Sequence, residues 1–327
     1  MSMVNLLAGD VGGTTTRLGL FETTASRPRP IAVREFATLD FPDLRSMIAA
    51  FLEAAPRADL SNATACFGVA GPVAGDAASL TNTPWPRMEA GAIARDFALS
   101  HVHLLNDLEA MAYAVPVLES AEVHVLQAGR PAADGNVAII AAGTGLGESF
   151  LHRVKGRHVA IATEGGHADF AARTERDIAL LRHIVTRYGR AQVEDVVSGR
   201  GLLDIHRAIH ADPCQATIDP DAAGASAAIS SAALAGRCSG CVEALNIFVE
   251  AYGAEAGNFA LRTLATGGVF VGGGIAPKIL PALTTGVFMR AFRAKAPFEA
   301  LLDAVPVKVI LHSTPGLLGA ANFCSHT

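Results

Sequence analysis

An apolar strand that runs into a glycine–threonine turn and leaves it as a second strand occurs twice in this 327-residue chain. The first copy is Leu6-Leu7-Ala8-Gly9-Asp10-Val11-Gly12-Gly13-Thr14-Thr15-Thr16, continued by the alternating Arg17-Leu18-Gly19-Leu20-Phe21. The second is Val137-Ala138-Ile139-Ile140-Ala141-Ala142-Gly143-Thr144-Gly145-Leu146-Gly147, continued by Glu148 to Val154. A third glycine turn, Gly272-Gly273-Gly274, follows the apolar Val269-Phe270-Val271. The repetition reads as an internal duplication that presents two facing phosphate hairpins. Two commoner phosphate motifs are excluded. A dinucleotide fingerprint opens a helix, whereas the alternation after Thr16 demands a strand. A Walker loop needs a Gly-Lys pair, and lysine occurs only at Lys155, Lys278, Lys295 and Lys308.

The chemistry of the first turn follows from its residue types. Gly12 and Gly13 are expected to take positive φ and to let backbone N–H groups approach a phosphate. Thr14, Thr15 and Thr16 add hydroxyl donors. Asp10 places one carboxylate at the strand end, where Mg²⁺ can sit with its waters. Taken alone, such a hairpin is more often a plain tight turn.

Half of the residues are hydrophobic and 17% are charged, enough core for about two domains. A net charge of −5 without any Lys/Arg run disfavours nucleic acid as a partner. Met1 to Ala8 has no basic flank, and the uncharged Thr263 to Pro277 is too short to span a bilayer, so no membrane is expected. The cysteines, Cys66, Cys214, Cys238, Cys241 and Cys324, are odd in number and scattered, as in a reduced cytoplasmic protein. Cys238-Ser239-Gly240-Cys241 is read as two ordinary thiols near a helix start, because no second Cys/His pair at zinc spacing is recognised.

Between the turns the chain alternates strands and helices. Ile31–Thr38 and Ala63–Ala70 read as strands, and Leu44–Ala54 and Met88–Leu99 as helices. Ser79–Pro86 is a Pro-rich loop. His101–Leu105 is a short strand, and Asn106-Asp107 opens a helix running to about Leu118. Asn106 with Glu109 resembles a capping box. A cap does not require a carboxylate at Asp107, which falls at the mouth of a parallel sheet, where α/β proteins place ligand groups. Glu164-Gly165-Gly166-His167-Ala168-Asp169 is a polar loop suited to bonding a polyol, or a plain surface loop. Glu194 alone reads as a solvated charge. Later helices are Thr174–Tyr188, Gly201–Ile209, Ala225–Leu234 and the long Val242–Leu264, with a loop from Asp212 to Ala225. No low-complexity linker separates domains, and the boundary falls near Leu118.

Duplicated β-β-β-α-β-α units with a nucleotide between them are the actin-like ATPase architecture, and the sequence resembles the bacterial glucokinases of that superfamily along nearly its whole length. The resemblance rests on Gly9-Asp10-Val11-Gly12-Gly13-Thr14, Leu105-Asn106-Asp107, Gly143-Thr144-Gly145-Leu146-Gly147, Glu164 to Phe170, Ser198-Gly199 with Gly201-Leu202, Gly267 to Ile275, and Pro315-Gly316-Leu317-Leu318-Gly319. It implies an α/β fold of two actin-like (ribonuclease H-like) domains with a cleft between them, residues 1–117 plus 312–327 and residues 118–311. It implies ATP-dependent phosphorylation of D-glucose, with ATP and Mg²⁺ as cofactors. Asp107 matches the catalytic base and Asn106 its sugar-binding neighbour. Glu164, His167 and Glu194 match the remaining glucose ligands. Thr14 and Thr144 fall where the hairpins hold phosphates, together with Gly12, Gly13, Thr15 and Gly145, and Gly273 and Gly274 fall near the adenosine. The Cys-rich zinc motif of a related repressor and sugar-kinase group is not matched, so no zinc is expected. A kinase for another hexose and a non-catalytic sugar sensor are the alternatives. A DNA-binding repressor would need a helix-turn-helix, and the first strand, starting near Val4, leaves no room for one. A homodimer is left open.

Overall fold

The computed structural model describes residues 5–56, 60, 63–81, 83–210 and 214–326. Val4, Asn82 of the Pro-rich loop, and Asp212 and Pro213 of the loop before Ala225 lie outside the described residues. The chain divides into two compact units. One is Met1–Glu119 with His158–Ala162 and His312–Thr327; the other is Ser120–Arg157 with Thr163–Leu311.

In the first unit, Asn5–Val11 pairs antiparallel with Thr15–Glu22 and parallel with Thr64–Val69. His101–Asn106 extends the parallel side, and Arg29–Ala37 the antiparallel side. Val11 lies beside Val69, and Val69 beside Asn106. Three parallel strands therefore end level, which brings Asp10 and Asp107 to one rim. The pleat sends alternate residues to opposite faces. Leu7 and Val11 pack with Met47, Ile48 and Phe51 of the helix Leu44–Ala54. That helix forms because its apolar residues recur on one stripe and the Asp43 carboxylate caps it, accepting from the Ser46 N–H at 2.8 Å. Leu6 and Ala8 face the other way, against Ala110, Leu317 and Ala321 of the helices Asp107–Ala114 and Pro315–Cys324. A Cβ on Gly319 would collide with the Ala110 carbonyl oxygen, so these helices touch backbone to backbone.

The second sheet runs Arg157–Thr163, Leu146–Val154, Val137–Ala142, Gly268–Gly272, Val307–Ile310 and Val123–Gln127. Its first five strands repeat the order of the first sheet, a hairpin followed by two parallel additions, and Val123–Gln127 adds an antiparallel edge. This repeat is the duplication that the two glycine–threonine turns signal. The core centres on the 25-residue helix Ser239–Thr263, which is buried over most of its circumference. Its Tyr252 hydroxyl accepts from the Ala142 N–H at 3.1 Å and lies 3.1 Å from the Ile140 and 3.3 Å from the Gly272 carbonyl oxygen. One buried side chain thus pins two strand ends where two glycine turns begin.

Several elements depart from the sequence reading. The strand Val123–Gln127 and the helix Glu299–Ala304 were not foreseen. Met88–Glu89 is a short strand, and the helix behind it spans only Ala90–Asp96. The helix opened by Asp107 ends at Ala114 and tightens into a 3₁₀ turn, Val115–Val117, because Pro116 has no N–H to continue it. Among the described residues no single helix is long and apolar enough to cross a membrane.

Candidate active site

The first unit contributes a hairpin turn and two carboxyls. The Gly12 N–H donates to the Thr15 carbonyl at 3.1 Å. Thr38 supports the turn from beneath, its N–H donating to the Thr14 carbonyl at 2.9 Å and its hydroxyl to the Gly12 carbonyl at 2.7 Å. Contrary to expectation, neither Gly12 nor Gly13 takes positive φ. Gly12 is needed instead for close approach, since a Cβ there would sit 2.8 Å from the Thr15 carbonyl oxygen. Thr14 stands exposed at the tip.

Asn106 ends its strand in extended conformation and caps the next helix. Its side-chain oxygen accepts from the Leu108 N–H at 3.0 Å, while the Glu109 carboxylate accepts from the Asn106 N–H at 3.0 Å. The capping box therefore exists as read. Asp107 is the first helical residue. Its carboxyl also accepts from the Leu108 N–H at 3.0 Å. Burial, and then the neighbouring Asp10 charge, push the Asp107 carboxyl up to about 6. Burial likewise raises Asp10, with Arg17 at 3.9 Å opposing it. About a quarter of the Asp10 side chain, 27%, remains accessible. A carboxylate that is costly to keep charged, part-open at a strand end and close to a second one, is a donor set suited to a hard divalent cation such as Mg²⁺.

The second unit gathers the rest. The Glu194 N–H donates to the Gly166 carbonyl and the Val193 N–H to the Ala168 carbonyl, both at 2.9 Å. These bonds seat the Glu164–Ala168 loop beside Glu194. The Glu194 carboxylate accepts from the Leu146 N–H at 2.9 Å, and a Cβ on Gly145 would collide with it. Glu194 is therefore built into the second hairpin and is not the solvated charge that its isolated sequence position suggests. The Gly199 N–H donates to the Gly143 carbonyl at 2.9 Å, so the helix Gly199–Ile209 starts against the same turn. Gly273 takes φ of +83°, lies against Ala142 and completes this cluster, with Gly274 and Thr144 exposed.

Gly165–His167 forms a single 3₁₀ turn rather than open loop. Its glycines serve packing, since a Cβ on Gly166 would strike the Leu146 carbonyl oxygen and one on Gly165 the Glu148 carboxyl. The Glu164 side chain is exposed, and its carboxylate lies 3.9 Å from His167 Nε2. His167 Nδ1 is 2.7 Å from Gln192 Oε1, which fixes the ring.

Sequence reasoning missed three supporting residues. Gln192 orients His167 across 25 positions and leaves no local signal. Arg200, just inside the Ser198-Gly199 motif, pairs with Asp195 at 2.5 Å and lies 3.8 Å from Glu194. Glu148 is buried beneath Gly165 and raised to about 8, first by burial and then by the Glu255 charge. The cysteine reading also needs correction: Cys238 and Cys241 do have a second Cys/His pair beside them, His210 and Cys214, with His206 adjacent. The spacing His206-x₃-His210-x₃-Cys214 was the available signal.

Two sheets with the same strand order, each carrying a glycine–threonine hairpin, define the actin-like ATPase fold. The family model for glucokinase matches residues 7–327. The glucokinase of Nostoc punctiforme is 38% identical over 339 residues, covering 98% of each chain. A crystal structure of glucokinase from an Antarctic psychrotroph is 29% identical, with a TM-score of 0.85 over 99% of each chain. A ROK family glucokinase from Streptomyces griseus, solved with glucose and AMPPNP, has the same fold at 20% identity and a TM-score of 0.66 over the whole of both chains. The chain belongs to the glucokinase family.

Proposed function

We propose that this chain transfers the γ-phosphoryl group of ATP to the 6-hydroxyl of D-glucose, with Asp107 as the base. The observation that carries the assignment is the carboxyl of Asp107, part-buried at a level sheet rim and raised to about 6 beside Asp10. A base with that pKa is ionised at neutral pH yet holds a proton more readily than an exposed aspartate. The Asp107 carboxylate takes the 6-hydroxyl proton as the oxygen–phosphorus bond forms and the bond to the leaving ADP breaks. Asn106, Glu164, His167 and Glu194 bind the sugar hydroxyls. The turns at Gly12–Thr15 and Thr144–Gly145 hold phosphate oxygens, and Gly273-Gly274 lies under the nucleoside. Asp10 would hold Mg²⁺, which would supply charge neutralisation on the phosphates. The complex of the Streptomyces griseus protein with glucose and AMPPNP supports the choice of sugar and nucleotide. None of the five cysteines is joined in a disulfide, in keeping with a cytoplasmic setting.

The test is Asp107→Asn, which preserves shape but cannot accept the proton. The expected result is a loss of about 10²–10⁴-fold in kcat, with glucose affinity changed far less. A variant retaining a tenth of wild-type turnover would leave Asp107 as a helix residue only.

A further inference from the structure

The second unit holds a cluster of thiols and imidazoles that the phosphoryl-transfer site does not use. His206 lies in the last turn of the helix Gly199–Ile209, and His210 follows at its C-cap. Cys238 is the N-cap of the central helix Ser239–Thr263 and Cys241 lies in its first turn, and Cys214 comes from the segment between the two helices. Donor atoms of His206, Cys214 and Cys241 all lie within 4.8 Å of one another, as do those of His210, Cys214 and Cys238. Cys214 belongs to both sets, whereas Cys238 and Cys241 fall in different ones.

We propose that Cys214, Cys238, Cys241 and His206 bind one thiophilic divalent cation of the Zn²⁺ class, at a structural site that ties the end of the helix Gly199–Ile209 to the start of the central helix Ser239–Thr263. The Cys214 sulfur lies 3.8 Å from the Cys238 sulfur and 3.8 Å from the Cys241 sulfur. Two thiolates on a tetrahedral zinc, each at about 2.3 Å, are separated by about 3.8 Å. A disulfide would need about 2.05 Å. Cys238 and Cys241 are fully buried, and His206 is 4% exposed. The Nε2 atom of His206 has no hydrogen-bond partner among the described residues, although buried polar atoms ordinarily have one. His210 has a different task, because its Nε2 is 3.3 Å from the Cys238 sulfur and a group beside a ligand orients it. That approach requires Gly240, since a Cβ there would sit 2.7 Å from His210 Nε2. Cys238 stands at the N-cap of the central helix. Thiolates are favoured at a helix N-terminus.

The test uses the full chain, purified free of affinity tag from zinc-supplemented cells without chelator, with metal measured by plasma mass spectrometry. About one zinc per chain is expected, falling below about a tenth in a Cys214→Ser/Cys238→Ser variant. Chelated wild type titrated with Co²⁺ should develop thiolate-to-metal charge-transfer absorption with the visible bands of a tetrahedral site. This second reading decides the matter if the serine variant does not fold. Chelation should also lower the thermal midpoint. His206→Ala should weaken Co²⁺ binding at least tenfold, and more than His210→Ala. Wild type without stoichiometric metal and without the cobalt signature would overturn the site, as would a disulfide between any two of the three cysteines in the freshly purified protein. Retention of metal by His206→Ala with loss in His210→Ala would overturn the choice of histidine.

Discussion

At the residue scale the governing fact is the pairing of two carboxyls on one rim. Asp10 and Asp107 belong to different strands, but the level register of the sheet puts them close enough for the charge of one to raise the other. If Asp107 must be ionised to accept the proton, kcat/KM rises with pH through about 6 and is flat above it. Asp10→Asn removes the like charge, so the pKa of Asp107 falls and the acid limb moves to lower pH, whatever the variant loses in absolute rate. Kinetics from pH 5 to 8 measure the limb, and a limb that stays in place would show that Asp10 is not what raises Asp107. The burial of both residues could not be read from the sequence, because it depends on a register between segments about 95 positions apart.

At the scale of elements, the Glu164–Ala168 loop is positioned by glycines that have no room for a side chain. Gly166→Ala would push the loop off the Leu146 carbonyl by more than 1 Å, and a displacement of about that size can cost 10²-fold in rate. The expected result is a raised KM for glucose together with a lower kcat, and an alanine variant with wild-type constants would refute the packing argument. The same scale shows what was legible. The helix Leu44–Ala54 was read to the residue because stripe and cap agree. The strand Val123–Gln127 was not, because His124 and Gln127 break its apolar run and its partner, Val307–Ile310, lies far along the chain. The turns were legible from glycine spacing, but their conformation was not. Gly12 avoids a clash rather than adopting positive φ, a distinction only the folded neighbours make. The bond from the Leu146 N–H to Glu194, across 48 positions, had no local trace.

For the whole molecule, duplication assigns work. Each sheet repeats one strand order and carries one glycine–threonine turn, and the parts that differ, Asn106-Asp107 in one unit and Glu164, His167 and Glu194 in the other, carry the proposed recognition of sugar. A site built to bond a hydroxyl rejects analogues that lack it. Glucose should therefore lead 2-deoxyglucose, mannose and N-acetylglucosamine in kcat/KM, and Glu164→Ala should narrow the lead over 2-deoxyglucose. A coupled assay of ADP release over these sugars decides, and a preference for N-acetylglucosamine would move the substrate to another hexose while leaving the kinase fold in place.

The capping box has a consequence for the direction of hydrogen atoms. The atom of Asn106 that meets the Leu108 N–H must be oxygen, because a donor needs an acceptor. What the side chain has left to give is its amide hydrogens. A hydroxyl that binds there receives a hydrogen on its oxygen and keeps its own to offer to the carboxylate one residue on. Asn106→Asp separates the two duties, since aspartate caps a helix as well as asparagine does but has no hydrogen to give. Its thermal midpoint should stay within a few degrees of wild type while glucose affinity drops by about tenfold or more, and calorimetry with sugar titration would measure both.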